Sequence, residues 1–349
     1  MDAVFKPYIH PLEQHIKKVF KEKGLEYKAI NGWGKDVTER MGTFATQGKL
    51  LRGALVFVSA KLFALDNDDD IMNAATAIEI IHSSLLIHDD IMDQDIYRRG
   101  QISIHTQYTQ QAEYLNREQP EHKGISLGIC AGDLGFFIAC ELLSKLQSKH
   151  KQAVLKKITS ELAVVGLAQM QDVMPYGRDD MGIEDIIRVY QFKTGRYSIS
   201  LPLVTGAMLA GADEQTITLL EEFGESVGIV FQIVDDRLGL FGTIEQTGKP
   251  IGSDIRDDKK TLYRALLFQY ASENDQKLLQ TLFGNKHLTL DNLNVLKSLI
   301  QKYSIEEKIH STCEMYRTKA QNCVQNLPIS DTDKKLLIDL VEHLEKRIK

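Results

Sequence analysis

Apolar residues recur with a helical period along most of this chain. Clear examples are residues 53–65, 71–93, 126–147 and 214–241. Apolar positions spaced three and four apart predict amphipathic helices, and the alternating pattern that is typical of strands is hard to find. Only seven prolines interrupt 349 residues, so the predicted helices can be long. The pattern predicts an all-α fold of about ten or more helices.

The breaks between these helical segments predict the domain organisation. Loops are expected near residues 66–70, 117–124, 176–182 and 242–260, and none of them has the composition of a flexible linker. We therefore expect a single domain over residues 1–349. Its motifs occupy residues 45–265, and a C-terminal helical part covers about 270–349.

Composition narrows the class of protein. A net charge of −6 argues against sequence-independent binding of nucleic acid, which normally requires a basic face. The four cysteines form no CxxC motif, which favours reduced thiols and a cytoplasmic location. The N-terminus lacks the apolar core of a signal peptide. The most apolar window, residues 125–143, contains Asp133, so it predicts a buried helix and no transmembrane segment.

The stretch LLIHDDIMDQDIYRRG, residues 85–100, places several carboxylates against an apolar helix. Asp89 and Asp93 lie one turn apart on the same face, His82 lies two turns earlier, and Asp90 lies beside them. Like charges at this spacing disfavour a helix unless a cation compensates them. Oxygen ligands suit Mg²⁺ or Mn²⁺. Taken alone, the motif is equally compatible with a solvated helix end.

A second stretch, FQIVDDRLGLFG at residues 231–242, has the same design. An apolar run ends in Asp235 and Asp236, and Gln232 lies on the same side one turn earlier. Two such helices facing each other across a cavity could hold several Mg²⁺ ions around one diphosphate. The acidic runs at residues 68–70 and 179–180 differ, because they precede predicted helices and are explained by helix capping and solvation.

A diphosphate also requires cationic donors. Candidates lie in the stretches GKLLR (48–52), YRRG (97–100), FKTGRYS (192–198) and TGKPIGSDIRDDKKT (247–261). The segment from Gly242 to Lys249 is similar to a phosphate-binding P-loop, but its spacing is one residue too long and Pro250 occupies the Ser/Thr position. We therefore reject a P-loop.

Five motifs in this order, DDIMD, YRRG, KTGRYS, FQIVDD and GKPIGSDI, resemble the trans-polyprenyl diphosphate synthase family, and the pattern is most similar to its geranylgeranyl diphosphate synthases. The resemblance covers roughly residues 45–265. It implies an isoprenoid synthase fold, a helical bundle around a central cavity, and usually a homodimer. It also implies Mg²⁺ as the cofactor, with about three ions per site, and Mn²⁺ as its substitute.

The resemblance also implies roles for individual residues. The magnesium ligands would be Asp89, Asp93 and Asp235, supported by Asp90 and Asp236. The allylic diphosphate would contact Arg98, Lys193, Lys249 and Lys259. The isopentenyl diphosphate site would comprise Lys49, Arg52, His82 and Arg99. Thr194 and Gln232 would face the reacting carbons. Asp133, Gln169, Asp172 and Asp254 match further family positions.

Several residues depart from the family's pattern. The segment QGKLLRG replaces GGKRLRP, so that Gln47, Leu50 and Gly53 stand where the family has glycine, a basic residue and proline. Ala168 replaces the glycine of a GQxxD motif. Gly239 replaces the last aspartate of the second acidic motif, which raises the question of how a third ion is held.

The resemblance implies condensation of isopentenyl diphosphate with an allylic diphosphate of C5 to C15, by ionisation, condensation and elimination. In the family, residues one turn before the first aspartate form the floor of the cavity. Here these are Ser84 and Leu85, neither of them aromatic, followed by Ile81 and Ile78. Each further turn adds about 5.4 Å, similar to one prenyl unit. We predict a C20 product, and we predict that Ser84→Phe shortens it.

Other functions stay open at this point. A farnesyl product, or one of C25 or longer, is an alternative to C20. A non-catalytic regulatory subunit of a prenyltransferase is a remote alternative, since both acidic motifs are retained. A terpene cyclase would carry an NSE-type second motif, and a purely structural helical protein would leave the paired motifs unexplained.

Overall fold

The computed structural model describes residues 2–65, 67–174, 181–242 and 251–345, and helices dominate it. The helices are α1 (Asp2–Tyr27), α2 (Gly32–Thr46), α3 (Leu51–Leu62), α4 (Asp68–Met92), α5 (Ile104–Tyr114), α6 (Pro120–Ser144), α7 (Lys151–Val173), α8 (Ile183–Val189), a π-helix (Tyr190–Ser200), α9 (Leu201–Leu209), α10 (Glu214–Phe241), α11 (Ser253–Arg256), α12 (Leu262–Tyr270), α13 (Glu273–Leu282), α14 (Leu290–Lys302), α15 (Ile305–Asn326) and α16 (Asp331–Glu345). The prediction of an all-α fold is confirmed.

A short hairpin provides the strands of the described part of the chain. Strands β1 (Tyr97–Arg98) and β2 (Gln101–Ile102) pair antiparallel, with Arg98 opposite Gln101. Arg99 and Gly100 form the two-residue turn, and both have a positive φ, of 54° and 73°. Two-residue hairpin turns of type I′ require this conformation at both positions. The turn therefore holds Arg99 in a backbone conformation that residues other than glycine rarely adopt.

The helices group into two compact units. The first comprises residues 1–157 and 202–213, and the second comprises residues 158–201 and 214–349. The single domain expected from the sequence stays a prediction.

In the first unit, α4 packs against α3 and α6, and α5 packs against α6. The small side chains Ala74, Ala75 and Ala77 are buried on α4. Asp70 corrects the sequence-based interpretation of residues 68–70. The side chain of Asn67 caps α4, whereas Asp70 is buried and accepts hydrogen bonds of 2.8 Å from the backbone N–H groups of Gln147 and Ser148.

In the second unit, α10 packs against the π-helix and α15. The contact with the π-helix is close because two glycines face each other: a Cβ atom on Gly228 would lie 2.1 Å from the Cα atom of Gly195. A large apolar core continues through α12, α13 and α14, and it contains Phe283, Leu296 and Ile300.

The structure also corrects two predicted segments. Helix α6 begins at Pro120, inside the loop expected over 117–124, because proline is well suited to the first turn of a helix. The window 125–143 is helical as predicted, but it is not fully buried: Ile125, Ile129 and Phe137 are exposed. Among the described residues, α4 and α6 are long and apolar enough to be candidate membrane spans, which is weak evidence because core helices pass the same test. All four cysteines are free thiols.

We expect Gly228→Ala to lower the free energy of unfolding by about 1–3 kcal/mol, because the added methyl group would force α10 away from the π-helix. The matched control is Gly166→Ala on α7, where a Cβ atom would meet no atom within 4 Å. The control should be neutral or more stable by about 0.5–1 kcal/mol, since alanine favours helices. Urea unfolding followed by circular dichroism measures both. Equal stability of the two variants would contradict the predicted close contact.

Candidate active site

The first acidic motif lies at the C-terminal end of α4. Asp93 is the C-cap residue and is exposed, Asp89 is partly exposed, and Asp90 is fully buried. Both Asp89 and Asp93 thus present oxygen ligands at the surface of the unit, one turn apart. The structure confirms that DDIMD lies at the end of a helix. It also shows that the adjacent residues Asp89 and Asp90 differ, since Asp89 is partly exposed and Asp90 is buried.

Asp90 is held by the hairpin that follows α4. The Arg98 side chain donates from Nε to Asp90, its Nη2 lies 3.0 Å from Asp95 Oδ2, and the same Nη2 is 3.8 Å from Asp89 Oδ2. Burial raises the pKa of Asp90 to about 6 although Arg98 acts in the opposite direction. The predicted diphosphate ligand Arg98 therefore belongs to the same cluster as the first acidic motif.

The second acidic motif shows the same division. Asp235 is exposed on α10, whereas Asp236 is fully buried. The hydroxyl of Tyr190 donates to Asp236 Oδ2, and Gln232 Nε2 donates to Oδ1 at 3.0 Å. The Nζ atom of Lys259 is 3.9 Å from Oδ1. Burial raises the pKa of Asp236 to about 7, and Lys259 opposes that shift.

The π-helix carries Tyr190 together with the KT motif. Thr194 Oγ1 donates to Gln232 Oε1 at 2.8 Å, so Thr194, Gln232 and Asp236 form one hydrogen-bonded chain. Lys193 Nζ lies 2.6 Å from Asp172 Oδ2 on α7. Wide helical turns of this kind are frequent at functional sites. Five predicted residues of the second unit, Asp172, Lys193, Thr194, Gln232 and Asp236, are thus connected through this segment.

Lys259 lies among carboxylates. Its Nζ atom is 3.9 Å from both Asp236 Oδ1 and Asp254 Oδ2. Desolvation lowers its pKa, but Asp254, Asp236 and Asp235 outweigh that effect, so the net pKa is raised and the ammonium group stays charged. The departure at Gly239 has a structural counterpart here, because a Cβ atom on Gly239 would lie 2.2 Å from Asp254 Oδ2. The carboxylate of Asp254 therefore lies next to the position where the family has its third aspartate.

A basic cluster surrounds one buried carboxylate that the sequence interpretation missed. Glu79 on α4 is buried and accepts a hydrogen bond of 2.7 Å from the backbone N–H of Gly53. Burial raises its pKa, and the positive charges of Arg52 and Arg99 oppose that shift. The pKa of His82 is well below its usual value because of burial and the same two arginines. The sequence does contain a signal for this buried carboxylate: Glu79 is a single acidic residue within the largely apolar run AIEIIH.

One departure in the segment QGKLLRG, at Gly53, has a structural reason. Proline has no N–H, so a proline at this position could not donate to Glu79 as Gly53 does. A Cβ atom at this position would also lie 2.3 Å from Leu12 Cδ2. Leu50 is buried, Lys49 is exposed, and Gly48 lies directly against the guanidinium of Arg99. Lys49 is therefore next to the arginine cluster in sequence, on a segment that contacts it.

The predicted floor residues are mostly enclosed. Ile78, Ile81 and Ser84 are fully buried, and Leu85 is partly exposed. Ser84 faces α6, since a Cβ atom on Gly135 would lie 2.1 Å from Ser84 Oγ. Their role in product length stays a prediction.

The remaining predicted residues are less closely tied to these clusters. Asp133 Oδ1 is 3.5 Å from His88 Nε2, and Gln169 lies on α7 three residues before Asp172. Lys249 lies outside the described residues. Within the described residues, no three His, Cys, Asp or Glu side chains converge as a ready-made metal cage. Mg²⁺ usually takes only one or two protein carboxylates, so Asp93 with the partly exposed Asp89 in the first motif, and Asp235 in the second, fit this ion. The expectation that both acidic helix ends face one cavity stays a prediction.

Comparison with known proteins defines the class of this all-α fold. The crystal structure of a geranylgeranyl pyrophosphate synthase from Corynebacterium glutamicum, complexed with isoprenyl diphosphate and magnesium, matches with a TM-score of 0.90 and 26% identity, over 97% of this chain and 98% of that one. The fold is that of the isoprenoid synthases, as the sequence predicted.

Sequence relatives and a family model identify the family. The polyprenyl synthetase model matches residues 36–300. A geranylgeranyl diphosphate synthase from Sulfolobus acidocaldarius is 31% identical, over 88% of this chain and 89% of its own. A geranylfarnesyl diphosphate synthase from Aeropyrum pernix is 29% identical, over 86% and 91%. The chain belongs to the polyprenyl synthetase family and is a trans-prenyltransferase.

We expect Asp236→Asn to change how stability depends on pH when Mg²⁺ is removed with EDTA. The pKa of Asp236 is about 7 in the folded protein, against an ordinary value of 3.8, so the folded state binds the additional proton between these values. The native side chain should therefore gain stability relative to asparagine as the pH falls from 8 to 5. Thermal unfolding of both proteins across this range tests the sign. A constant difference would contradict the raised pKa.

Proposed function

We propose that this enzyme joins isopentenyl diphosphate to an allylic diphosphate and releases a longer allylic diphosphate. The observation that carries the proposal is the division within each acidic motif. Asp90 and Asp236 are buried and held by protein donors, while Asp89, Asp93 and Asp235 present carboxylates at helix surfaces. Family membership and the lysines and arginines beside both motifs support the same reaction.

Asp89, Asp93 and Asp235 would bind Mg²⁺, about three ions in all, and Mn²⁺ would substitute for it. Bound Mg²⁺ neutralises the charge that develops on a departing diphosphate. Asp90 and Asp236 act differently: each positions a neighbouring aspartate by fixing the end of its helix. The carboxylate of Asp254 next to Gly239 would supply the negative charge that the shortened second motif lacks.

The cations would bind the two diphosphates. Arg98, Lys193 and Lys259, together with Lys249, would contact the allylic diphosphate; Lys49, Arg52, His82 and Arg99 would contact isopentenyl diphosphate. His82 is suited to donating or accepting a hydrogen bond as a neutral ring, since its pKa is lowered. The allylic C–O bond breaks, the isopentenyl double bond attacks the cation at a distance of about 3–3.5 Å, and a proton then leaves to the released diphosphate. Thr194 and Gln232 would face the reacting carbons.

We expect Asp89→Asn and Asp235→Asn each to lower the rate of condensation by about 100-fold or more, because each removes charge stabilisation at the leaving group. The matched control is Glu113→Gln, an exposed carboxylate on α5 outside both motifs. The assay combines the purified protein, Mg²⁺, radiolabelled isopentenyl diphosphate and C5, C10 or C15 starters, followed by chromatography of the products. A wild-type protein that makes only cyclic hydrocarbons, or no product, would refute the proposed reaction.

We propose geranylgeranyl diphosphate, C20, as the main product. No aromatic residue occupies the two floor positions nearest Asp89, and the named relatives include both C20 and C25 synthases. A farnesyl product or a longer one is the alternative that product sizing distinguishes.

We expect Leu85→Phe to shorten the main product by one prenyl unit, because the ring would fill one turn of the predicted shaft. Ser84→Phe should shorten it as well, at a cost in stability, since Ser84 packs against Gly135. Leu85→Met provides a control of similar volume. Chromatography of the dephosphorylated alcohols gives the chain lengths. An unchanged product in both phenylalanine variants would overturn this placement of the floor.

We also propose that the enzyme works in the cytoplasm as a homodimer. The exposed apolar face of α6, with Ile125, Ile129 and Phe137, supports a second copy of the chain as its partner. We expect Phe137→Glu to convert the dimer into a monomer in light scattering after size exclusion, while Phe137→Leu stays dimeric. A monomeric wild-type protein would contradict this assembly.

A further inference from the structure

Large apolar side chains are exposed at the corner between α1 and α2. We define the α1–α2 corner as residues 21–35. Within it, Leu25 is 70% exposed, Ile30 is 75% exposed and Trp33 is 46% exposed. These three side chains lie within nine residues of the connection between the two helices, and we call them the apolar tip. None of them belongs to the clusters of the candidate active site.

Local contacts hold the start of α2 in this corner. Gly34 lies directly against α1, since a Cβ atom there would be 2.3 Å from the carbonyl oxygen of Tyr27. Asn31 caps α2 by accepting from the N–H of Trp33 at 2.9 Å. The indole ring contacts the ring of Tyr108 edge-on, with centroids 6.0 Å apart. One side of Trp33 is thus anchored while the other faces outward.

Several lysines lie close to this apolar tip in the sequence. Residues 17–35 contain six lysines, and four of them have carboxylate partners: Lys17 with Glu13, Lys18 with Glu22, Lys23 with Glu26 and Glu141, and Lys35 with Glu39. Lys21 and Lys28 are exposed, and among the described residues no carboxylate lies within ion-pair distance of either. The corner therefore combines an apolar tip with unneutralised positive charge.

This combination is typical of a surface that docks onto a lipid bilayer. Tryptophan prefers the boundary between headgroups and hydrocarbon, exposed aliphatic side chains insert below it, and lysines attract anionic headgroups. We propose that the α1–α2 corner docks the protein onto anionic membranes, with Leu25, Ile30 and Trp33 inserted and Lys21 and Lys28 on headgroups.

The corner also lies at the end of α2 that is remote from the arginine cluster. Helix α2 has 15 residues, which span about 22 Å. Its other end contacts Arg99, since the carbonyl oxygen of Phe44 accepts from Arg99 Nη1 at 3.2 Å. Docking through the corner would therefore leave the arginine cluster away from the bilayer. The proposal does not depend on the product or on the reaction proposed above.

Trp33 makes the proposal directly testable, because it is the only tryptophan in the chain. The full-length protein is titrated with vesicles of equal parts phosphatidylglycerol and phosphatidylcholine. We expect a blue shift of the fluorescence, quenching by brominated phosphatidylcholine, and co-sedimentation with the vesicles. Vesicles of phosphatidylcholine alone should bind at least about tenfold more weakly, and 0.5 M NaCl should release the protein, because surface charge is screened.

Two double variants separate the apolar and electrostatic contributions. Leu25→Asn/Ile30→Asn should lower vesicle affinity by about tenfold or more. Lys21→Gln/Lys28→Gln should lower affinity only for anionic vesicles. Leu290→Asn on α14, where leucine is equally exposed, is the control and should bind as the wild type does. Circular dichroism and unchanged prenyltransferase activity in solution verify that each variant is folded.

Three outcomes would overturn the proposal. The first is the absence of both a spectral shift and co-sedimentation with the wild-type protein. The second is equal binding to neutral and anionic vesicles that salt does not weaken. The third is a Leu25→Asn/Ile30→Asn variant that binds vesicles as the wild type does; a changed oligomeric state of that variant would then assign the corner to a second copy of the chain.

Discussion

Buried carboxylates held by fixed protein donors are the constraint on which the candidate active site depends. A carboxylate inside a protein is costly unless hydrogen bonds or cations compensate for its lost hydration. Arg98 compensates Asp90 in part, through Oδ1, and Oδ2 is buried without a hydrogen-bond partner among the described residues; Tyr190, Gln232 and Lys259 compensate Asp236 in part. Burial still raises the pKa of both groups. Each buried aspartate ties its helix to a neighbouring segment. The exposed neighbour in each motif is held in place as a consequence.

Carboxylates also hold the cations of the candidate site in place before any ligand binds. Arg98 is paired with Asp90, Lys193 with Asp172, and Lys259 lies between two carboxylates. Glu79 lies among the arginines and receives the N–H of Gly53. Cations placed in this way lose little further entropy when a diphosphate arrives, which favours tight and oriented binding. Their carboxylate partners also limit the repulsion between neighbouring positive charges.

Much of this could be predicted from the sequence, because long helical periodicity and acidic residues at helix ends are local signals. The helices, the DDIMD and FQIVDD motifs and the all-α class follow from such signals. The division between Asp89 and Asp90 could not be predicted, since it depends on which side of the helix the hairpin covers. Glu79 was missed because its partners, Arg52 and Gly53, are distant in sequence. The exposed face of α6 was missed because composition alone does not distinguish a buried helix from an apolar surface.

The π-helix over Tyr190–Ser200 makes the number of residues in this segment part of the site. A π-turn encloses one residue more than an α-turn, so its side chains are distributed differently around the axis. Tyr190 and Thr194 reach α10 while Lys193 reaches Asp172 on α7. A homologue one residue shorter here could form an ordinary α-helix only by rotating one of these side chains away from its partner. Insertions and deletions in this segment would therefore be more damaging than most single substitutions.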